Sequence, residues 1–340
     1  MTHIDLSALS NSVPFCNWLG VDVGYSIDFR LLGHGEYNLN YVFNPPNSSA
    51  KADKMVLRIP MGSQMHLANQ VRYEYDALKL LESSGRTPKP LYIDDSMTCI
   101  PYGFLVMGFL PGGALSYEMH LPNAAACLAD IHNLEIPADT HLITPNNPLG
   151  AIFDECNEMF SHYLSCDFAP AQVKSLISAL LEKGSGIISS SNSAAGQRCI
   201  INTEVNSGNF LVSDGECGKT YLVDWEKPLF ASPGQDLGHF LAPTTTLWKT
   251  DTILSADEIM SFLEHYCKNS ARYDSAYELR EVTMPYLRMN CLRGITWCAM
   301  AWVEYQSPDR LLRDELTFEK IKYYLSPNFL KRIGEEYIRD

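Results

Sequence analysis

The chain is short of positive charge. Its 26 lysines and arginines stand against 40 aspartates and glutamates, a formal charge of −14. That balance argues against a nucleic-acid or anionic-membrane surface, since both need clustered cations. Long apolar runs are missing too: none approaches the roughly 18 residues that suggest a membrane span. The opening "MTHIDLSALSNSVPFCNWLG" has no basic start leading into an apolar stretch, so no signal peptide is expected. The ten cysteines are scattered without a C-x-x-C pair, which makes reduced thiols the expectation and zinc not one. Repeats and low-complexity tracts are absent as well. A soluble cytoplasmic protein with no nucleic-acid or membrane partner is therefore expected.

What remains is ample for buried cores: 340 residues, of which 46% are hydrophobic and 19% charged. That length predicts one large domain or two. The first hundred residues are mixed, with strands predominating. "SIDFRLLG" and "YNLNYVFN" alternate apolar and polar residues around Gly33-His34-Gly35, which predicts a hairpin. "KMVLRIP" reads as a third strand, followed by a helix from about Leu67 to Glu82. "CIPYGFLVMGFLPGG" reads as one or two buried strands. Beyond residue 114 the pattern is mainly helical. "PNAAACLADIHNLEIP" predicts a helix between prolines, Ala169 to Ile188 another, and Ser255 an N-cap for "ADEIMSFLEHYCKN". The composition changes near Met107 to Gly113, predicting a smaller unit over 1–108 and a larger helical one over 109–340.

One stretch interrupts the helices. "INTEVNSGNFLVSDG" crowds Asn202, Glu204, Asn206, Gly208 and Asn209 into eight positions, flanked by hydrophobic residues. "NFLV" and "TYLVDW" bracket a turn signal and predict a hairpin with Asn209 and Asp224 at its open mouth. Paired oxygen ligands of this kind suit Mg²⁺, which completes its octahedron with water and phosphate oxygens. Glu204 enters the same mouth and could serve as a base. An ordinary polar turn capped by asparagines is the other reading of this string alone. Upstream, Glu74 falls on the apolar face of its helix and calls for a cationic partner, with Arg58 on the preceding strand the candidate.

The order of these parts resembles the aminoglycoside phosphotransferase and choline kinase family over residues 27 to 242. "LLGHGEYNLNYVF" is similar to the nucleotide-covering loop, with Gly33 and Gly35. "VLRIP" is similar to the strand whose cation, here Arg58, holds the α- and β-phosphates, and "VRYEYDALKLL" to the helix supplying Glu74. "FLVMGFLPGG" resembles the hinge, with Met107 and Phe109 at the adenine. "ACLADIHNL" resembles a helix ending in histidine. "NTEVNSGNFLV" stands where the family has His-x-Asp-x-x-x-x-Asn, "LVDWE" where it has the metal-binding aspartate, and "SPGQDLGHFL" where an aspartate braces the catalytic loop.

The resemblance implies an α+β, two-lobed protein-kinase-like fold with a small β-rich N-lobe and a larger, mainly helical C-lobe. It implies ATP and Mg²⁺ as cofactors, Asn209 and Asp224 as metal ligands, and a small-molecule acceptor, with cationic aminoglycoside- or choline-like alcohols among the candidates. Two positions depart from the pattern. Asn202 replaces the usual histidine and still donates and accepts hydrogen bonds. Glu204 replaces the catalytic aspartate, moving the carboxylate by roughly 1.5 Å where a misplacement of about 1 Å can cost around 10²-fold. An ATP-binding pseudokinase or a nucleotidyl-transferring relative is the alternative that these changes raise. His132 reads as a core histidine and Asp236 as a brace for backbone in the loop. Glu226 reads as a second metal ligand or a solvent-facing residue. Trp297, Trp302 and Tyr305, with Glu304, read either as an acceptor pocket or as helix-packing aromatics.

Overall fold

The computed structural model describes residues 4–34, 38–46, 54–137, 139–190, 197–213, 219–306 and 314–338. Gly35 and the tip of the second predicted hairpin, 214–218, lie outside the described residues. In chain order the first elements are helices α1 (Ser7–Ser10) and α2 (Val13–Leu19), strands β1 (Arg30–His34), β2 (Asn38–Phe43) and β3 (Met55–Pro60), and helix α3 (Gln70–Leu81). Strands β4 (Pro90–Asp94), β5 (Phe104–Gly108) and β6 (Gly113–Ala114) follow, then helices α4 (Tyr117–His132), α5 (Pro148–Leu164) and α6 (Ala171–Ser190). Four short strands come next: β7 (Cys199–Ile201), β8 (Phe210–Val212), β9 (Thr220–Leu222) and β10 (Leu229–Ala231). Helices α7 (Pro233–Leu241), α8 (Pro243–Lys249), α9 (Ala256–Asn269), α10 (Ala276–Gln306), α11 (Glu315–Tyr324) and α12 (Pro327–Glu336) close the chain.

These elements form two compact units, one of residues 1–114, 134–142 and 210–228, the other of 115–133, 143–209 and 229–340. The first is built on a five-stranded antiparallel sheet, ordered β1-β2-β3-β5-β4. The β1–β2 hairpin forms as its alternation predicts, with an irregularity between Leu31 and Gly33. On the next strand Leu57 and Ile59 enter a core with Phe15, Phe43 and Phe104. The periodicity of α3 buries Val71, Glu74, Ala77, Leu78 and Leu81 along one stripe, the spacing of a single helical face. A second sheet, β6-β8-β9, belongs to the same unit.

The other unit is mainly helical, and α10 is its axis, packing against α5, α6, α7, α8, α9 and α11. Helix α7 reaches α10 closely because Gly238 has no side chain: a Cβ there would stand 2.5 Å from the backbone nitrogen of Leu287. Such closeness is available to glycine alone. The predicted cap of α9 is present as a capping box, Ser255 Oγ accepting from the Glu258 amide and the Ser255 amide donating to the Glu258 carboxylate, which satisfies two orphan donors. Helix α4 differs from its prediction. It starts at Tyr117, so Pro122 lies inside it rather than before it. The Ser116 amide donates to His120 Nδ1 ahead of that proline, and the bond Pro122 cannot make falls near the start of the helix. The architecture is a β-sheet N-terminal region followed by a helical C-terminal part, as the α+β reading expects.

Candidate active site

Arg58 lies at the centre of the first group of polar residues, all within the sheet-bearing unit. Strand β3 buries it, and its Nε meets the Glu74 carboxylate of α3 at 2.8 Å. This is the ion pair that the strand and helix patterns predict. Its Nη2 also meets Asp224 Oδ1 at 2.6 Å and Glu226 Oε2 at 3.5 Å, so one guanidinium stands among three carboxylates. Burial opposes its charge, but Glu74, Asp224 and Glu226 hold it above the ordinary arginine value. For Glu74 the balance runs the other way. Burial, helped by the charges of Asp224 and Glu226, pushes its carboxyl up to about 7 against the pull of Arg58.

The segment carrying Asp224 and Glu226 is held by Trp225 between them, whose indole is fully buried and donates to the Leu222 carbonyl at 3.0 Å. Asp224 itself has φ of 65°, a left-handed conformation uncommon outside glycine and enriched at functional sites. Glu226 is buried rather than solvent-facing, which overturns one of its two sequence readings. It accepts from Asn38 and, at 3.0 Å, from Gln64, while Gln70 donates to its carbonyl at 2.7 Å. Two amides and an arginine therefore stabilise a carboxylate that would otherwise be costly to bury, and a third amide fixes its backbone. In the segment expected to be the hinge, Met107 continues β5 opposite Val56. Phe109 follows it, donating its amide to the Lys54 carbonyl at 3.0 Å, with the Lys54 ammonium over its ring. Gly33 lies in β1, where an added Cβ would meet nothing within 4 Å. The predicted hairpin is present, Phe210 pairing with Leu222.

The second group lies wholly in the helical unit and explains the crowding in "NTEVNSGN". Every asparagine there serves residue 204. Asn202 Oδ1 accepts from the Glu204 amide at 3.1 Å. Asn206 Nδ2 and Asn209 Nδ2 both donate to the Glu204 carbonyl, at 2.9 and 3.0 Å. The peptide groups on both sides of Glu204 are thus fixed by side chains of the same loop. Gly208 sits in the single 3₁₀ turn Ser207–Asn209 and donates its amide to Asn206 Oδ1 at 2.9 Å. The tightness of this turn is an Asx-turn effect.

Asp236 of α7 braces the loop as expected. Its two oxygens accept from the amides of Asn202 and Thr203, each at 2.7 Å. Thr203 has φ of 75°, strained for a β-branched residue and held by that bond. His132 is a core histidine, fully buried, with Nδ1 3.0 Å from the Tyr266 hydroxyl and Nε2 3.3 Å from Asp236. Sequence reading missed that it backs the brace. It also missed Arg293 of α10, whose Nε and Nη2 grip Glu155 of α5 at 2.9 and 3.1 Å. Of the two readings of the α10 aromatics, the ring contacts agree with helix packing. Trp297 packs on Trp248, Trp302 on Tyr163 and Tyr305 on Phe318, three separate contacts along one helix.

A buried strand arginine paired to a helix glutamate, and an acidic loop braced by a helix aspartate, are the marks of a kinase-like phosphotransferase. The chain belongs to the phosphotransferase enzyme family, whose family model matches residues 28–279. Among solved structures it is similar to a microcompartment-associated aminopropanol kinase, at 14% identity and a TM-score of 0.64, over 92% of this chain and 94% of that one. It is similar to the Plasmodium vivax ethanolamine kinase at 14% identity and a TM-score of 0.61, over 90% and 84%. Spectinomycin phosphotransferase, solved with ADP and spectinomycin, shares 14% identity and a TM-score of 0.60, over 92% and 93%. At such identities the likeness is one of fold. Comparison with curated protein sequences finds no match. Among the described residues no helix is long and apolar enough to cross a membrane.

Proposed function

We propose that this phosphotransferase moves the γ-phosphate of ATP to a hydroxyl of a small molecule, with Glu204 orienting that hydroxyl and accepting its proton. The observation that carries the reading is the convergence of Asn202, Asn206 and Asn209 on the two peptide groups of Glu204. A polar turn has no need to fix one carboxylate-bearing residue from both sides. Phosphoryl transfer asks mainly for positioning and charge, and a glutamate on a braced backbone supplies both.

Arg58 would contact the α- and β-phosphates, exchanging part of its carboxylate company for phosphate oxygens, while Glu74 keeps it in place. Asn209 and Asp224 would hold Mg²⁺. The fit is chemical: the Asn209 amide nitrogen is committed to the Glu204 carbonyl, so its remaining polar atom is a hard carbonyl oxygen, and Asp224 adds a carboxylate. When bound, the ion would neutralise charge on the phosphates. Gly33 and Gly35 would let backbone approach the phosphates, and Met107 and Phe109 would meet the adenine. The cytoplasmic location expected from the cysteines fits a nucleotide-dependent enzyme.

The test uses Glu204→Gln, which keeps shape and hydrogen bonding and removes the charge. With γ-labelled ATP and a panel of amino alcohols, aminoglycosides and sugars, kcat should fall roughly 10²–10⁴-fold while ATP affinity holds. Full activity in the variant would remove Glu204 from the role. Label moving from α-labelled ATP instead would make the protein a nucleotidyl transferase, and nucleotide binding without any transfer would make it a pseudokinase.

A further inference from the structure

Helix α3 carries more than the glutamate that pairs with Arg58. Gln70, Tyr73 and Glu74 stand at i, i+3 and i+4 of it, the spacing of one helix face. Each is bonded to a different part of the polar centre of the sheet-bearing unit. Glu74 meets Arg58 at 2.8 Å. Gln70 Nε2 donates to the Glu226 carbonyl at 2.7 Å, and the Tyr73 hydroxyl donates to the Pro228 carbonyl at 2.6 Å. Neither Gln70 nor Tyr73 has a part in the mechanism above. The two carbonyls need donors, because they lie between the end of β9 at Leu222 and the start of β10 at Leu229, in residues that are buried. A buried carbonyl left without a donor is costly. Side chains of α3 here do what a neighbouring strand would do.

Both donors are themselves fixed. Gln70 Oε1 accepts from Ser63 Oγ at 2.6 Å, and Ser63 Oγ accepts from the Leu67 amide at 3.0 Å, so the amide group is oriented from both ends. The Tyr73 ring is buried and stands edge-on to His141 at 5.5 Å. The acidic segment is fixed in return. Its Asp224 meets Arg58 Nη2 at 2.6 Å, and Trp225 donates to the Leu222 carbonyl at 3.0 Å. One helix face thus holds the cation through Glu74 and the segment bearing the acid through Gln70 and Tyr73.

We propose that Gln70 and Tyr73 position Asp224. By tying the 226 and 228 carbonyls to the helix that also holds Arg58, they set the place of the Asp224 carboxylate beside the guanidinium, and through it the binding of the divalent ion. The ion half of this rests on Asp224 being a metal ligand; the hold of α3 on the segment is tested without metal. Gln70 and Tyr73 are positioning residues, acting only through Asp224.

The experiment uses Tyr73→Phe, which loses only the hydroxyl, Gln70→Met, which keeps the length and loses the donor, and the double variant. Hydrogen exchange of the 224–227 amides should rise about tenfold in each single variant, the scale of one hydrogen bond, while β3 and β5 exchange as in wild type. Mn²⁺ is the metal probe, its binding read by electron paramagnetic resonance in the presence of a non-hydrolysable ATP analogue. The double variant should bind it about tenfold more weakly, yet bind the analogue without metal as wild type does. In an Asp224→Asn background the two changes should weaken Mn²⁺ binding no further. A role in folding alone would lower the melting temperature and leave Mn²⁺ affinity of the folded protein unmoved. Unchanged exchange at 224–227, unchanged Mn²⁺ affinity in the double variant, or a further loss in the Asp224→Asn background would overturn the proposal. If the double variant does not fold, Tyr73→Phe alone goes through the same measurements, with the same outcomes deciding. Should Asp224→Asn itself bind Mn²⁺ like wild type, the metal reading of Asp224 falls and the ion half with it, while the exchange data still decide whether α3 holds the segment.

Discussion

Glu74 and Asp236 are both buried acids, and each is held by opposite means. Glu74 is bonded to a guanidinium that two further carboxylates also claim. Asp236 is bonded to two backbone amides and a histidine. The first arrangement is a crowd of carboxylates around one buried guanidinium. The second is a clamp on backbone, and it suits a loop that must not move. The difference teaches that burial of a carboxylate alone does not mark its job; the chemistry of its partners does.

The largest effect should come from breaking the charged side of this contrast. Arg58→Met would leave Glu74, Asp224 and Glu226 without their common cation. It should destabilise the protein by about 3–5 kcal/mol, the scale of a buried pair deprived of one partner, as read by urea unfolding. A variant as stable as wild type would show that these acids are not held by Arg58. Next comes the clamp. Asp236→Asn keeps the outline but turns one acceptor into a donor facing an amide. It should cost about 2–3 kcal/mol and raise exchange at Asn202 and Thr203 before the rest of the helical unit opens. Uniform opening would mean that the brace is not local.

The smallest effect sharpens the contrast through pH. The folded Glu74 carboxyl sits at about 7, above its ordinary 4.5, so the folded state binds a proton that the unfolded chain releases across that window. Its contribution to stability is complete below about 4.5 and fades as pH rises through about 7. Glu74→Gln should therefore flatten the fall in melting temperature between pH 5 and pH 7.5, by roughly a few degrees. An identical slope in the variant would place that titration elsewhere.

Much of this was legible because it is local. The stripe of α3 put Glu74 on a buried face, and alternation placed Arg58 on a strand beside it. The asparagine cluster announced an unusual loop. What stayed hidden depends on distant parts of the chain. Arg293 and Glu155 are 138 residues apart, and nothing near either one points to the other. Glu226 looked indifferent because its amide partners come from β2 and the stretch before α3. Strand β4 went unread because it is a short edge strand opening on Pro90, which is where a sheet tolerates proline. The aromatics of α10 left two readings open because they share a helix, and only their separate neighbours show packing.

The chain passes from one unit to the other at residues 114, 133, 142, 209 and 228. Neither unit is therefore a continuous stretch of the gene. A fragment ending at residue 114 would carry Arg58 and Glu74 but leave behind Asp224, Glu226 and the two strands that complete the sheet of β6. Such a protein cannot be trimmed to either unit by one cut, or exchange one unit as a cassette. Change has to come by substitution within the intact chain, and inserted sequence is tolerated only where it leaves those five passages in register.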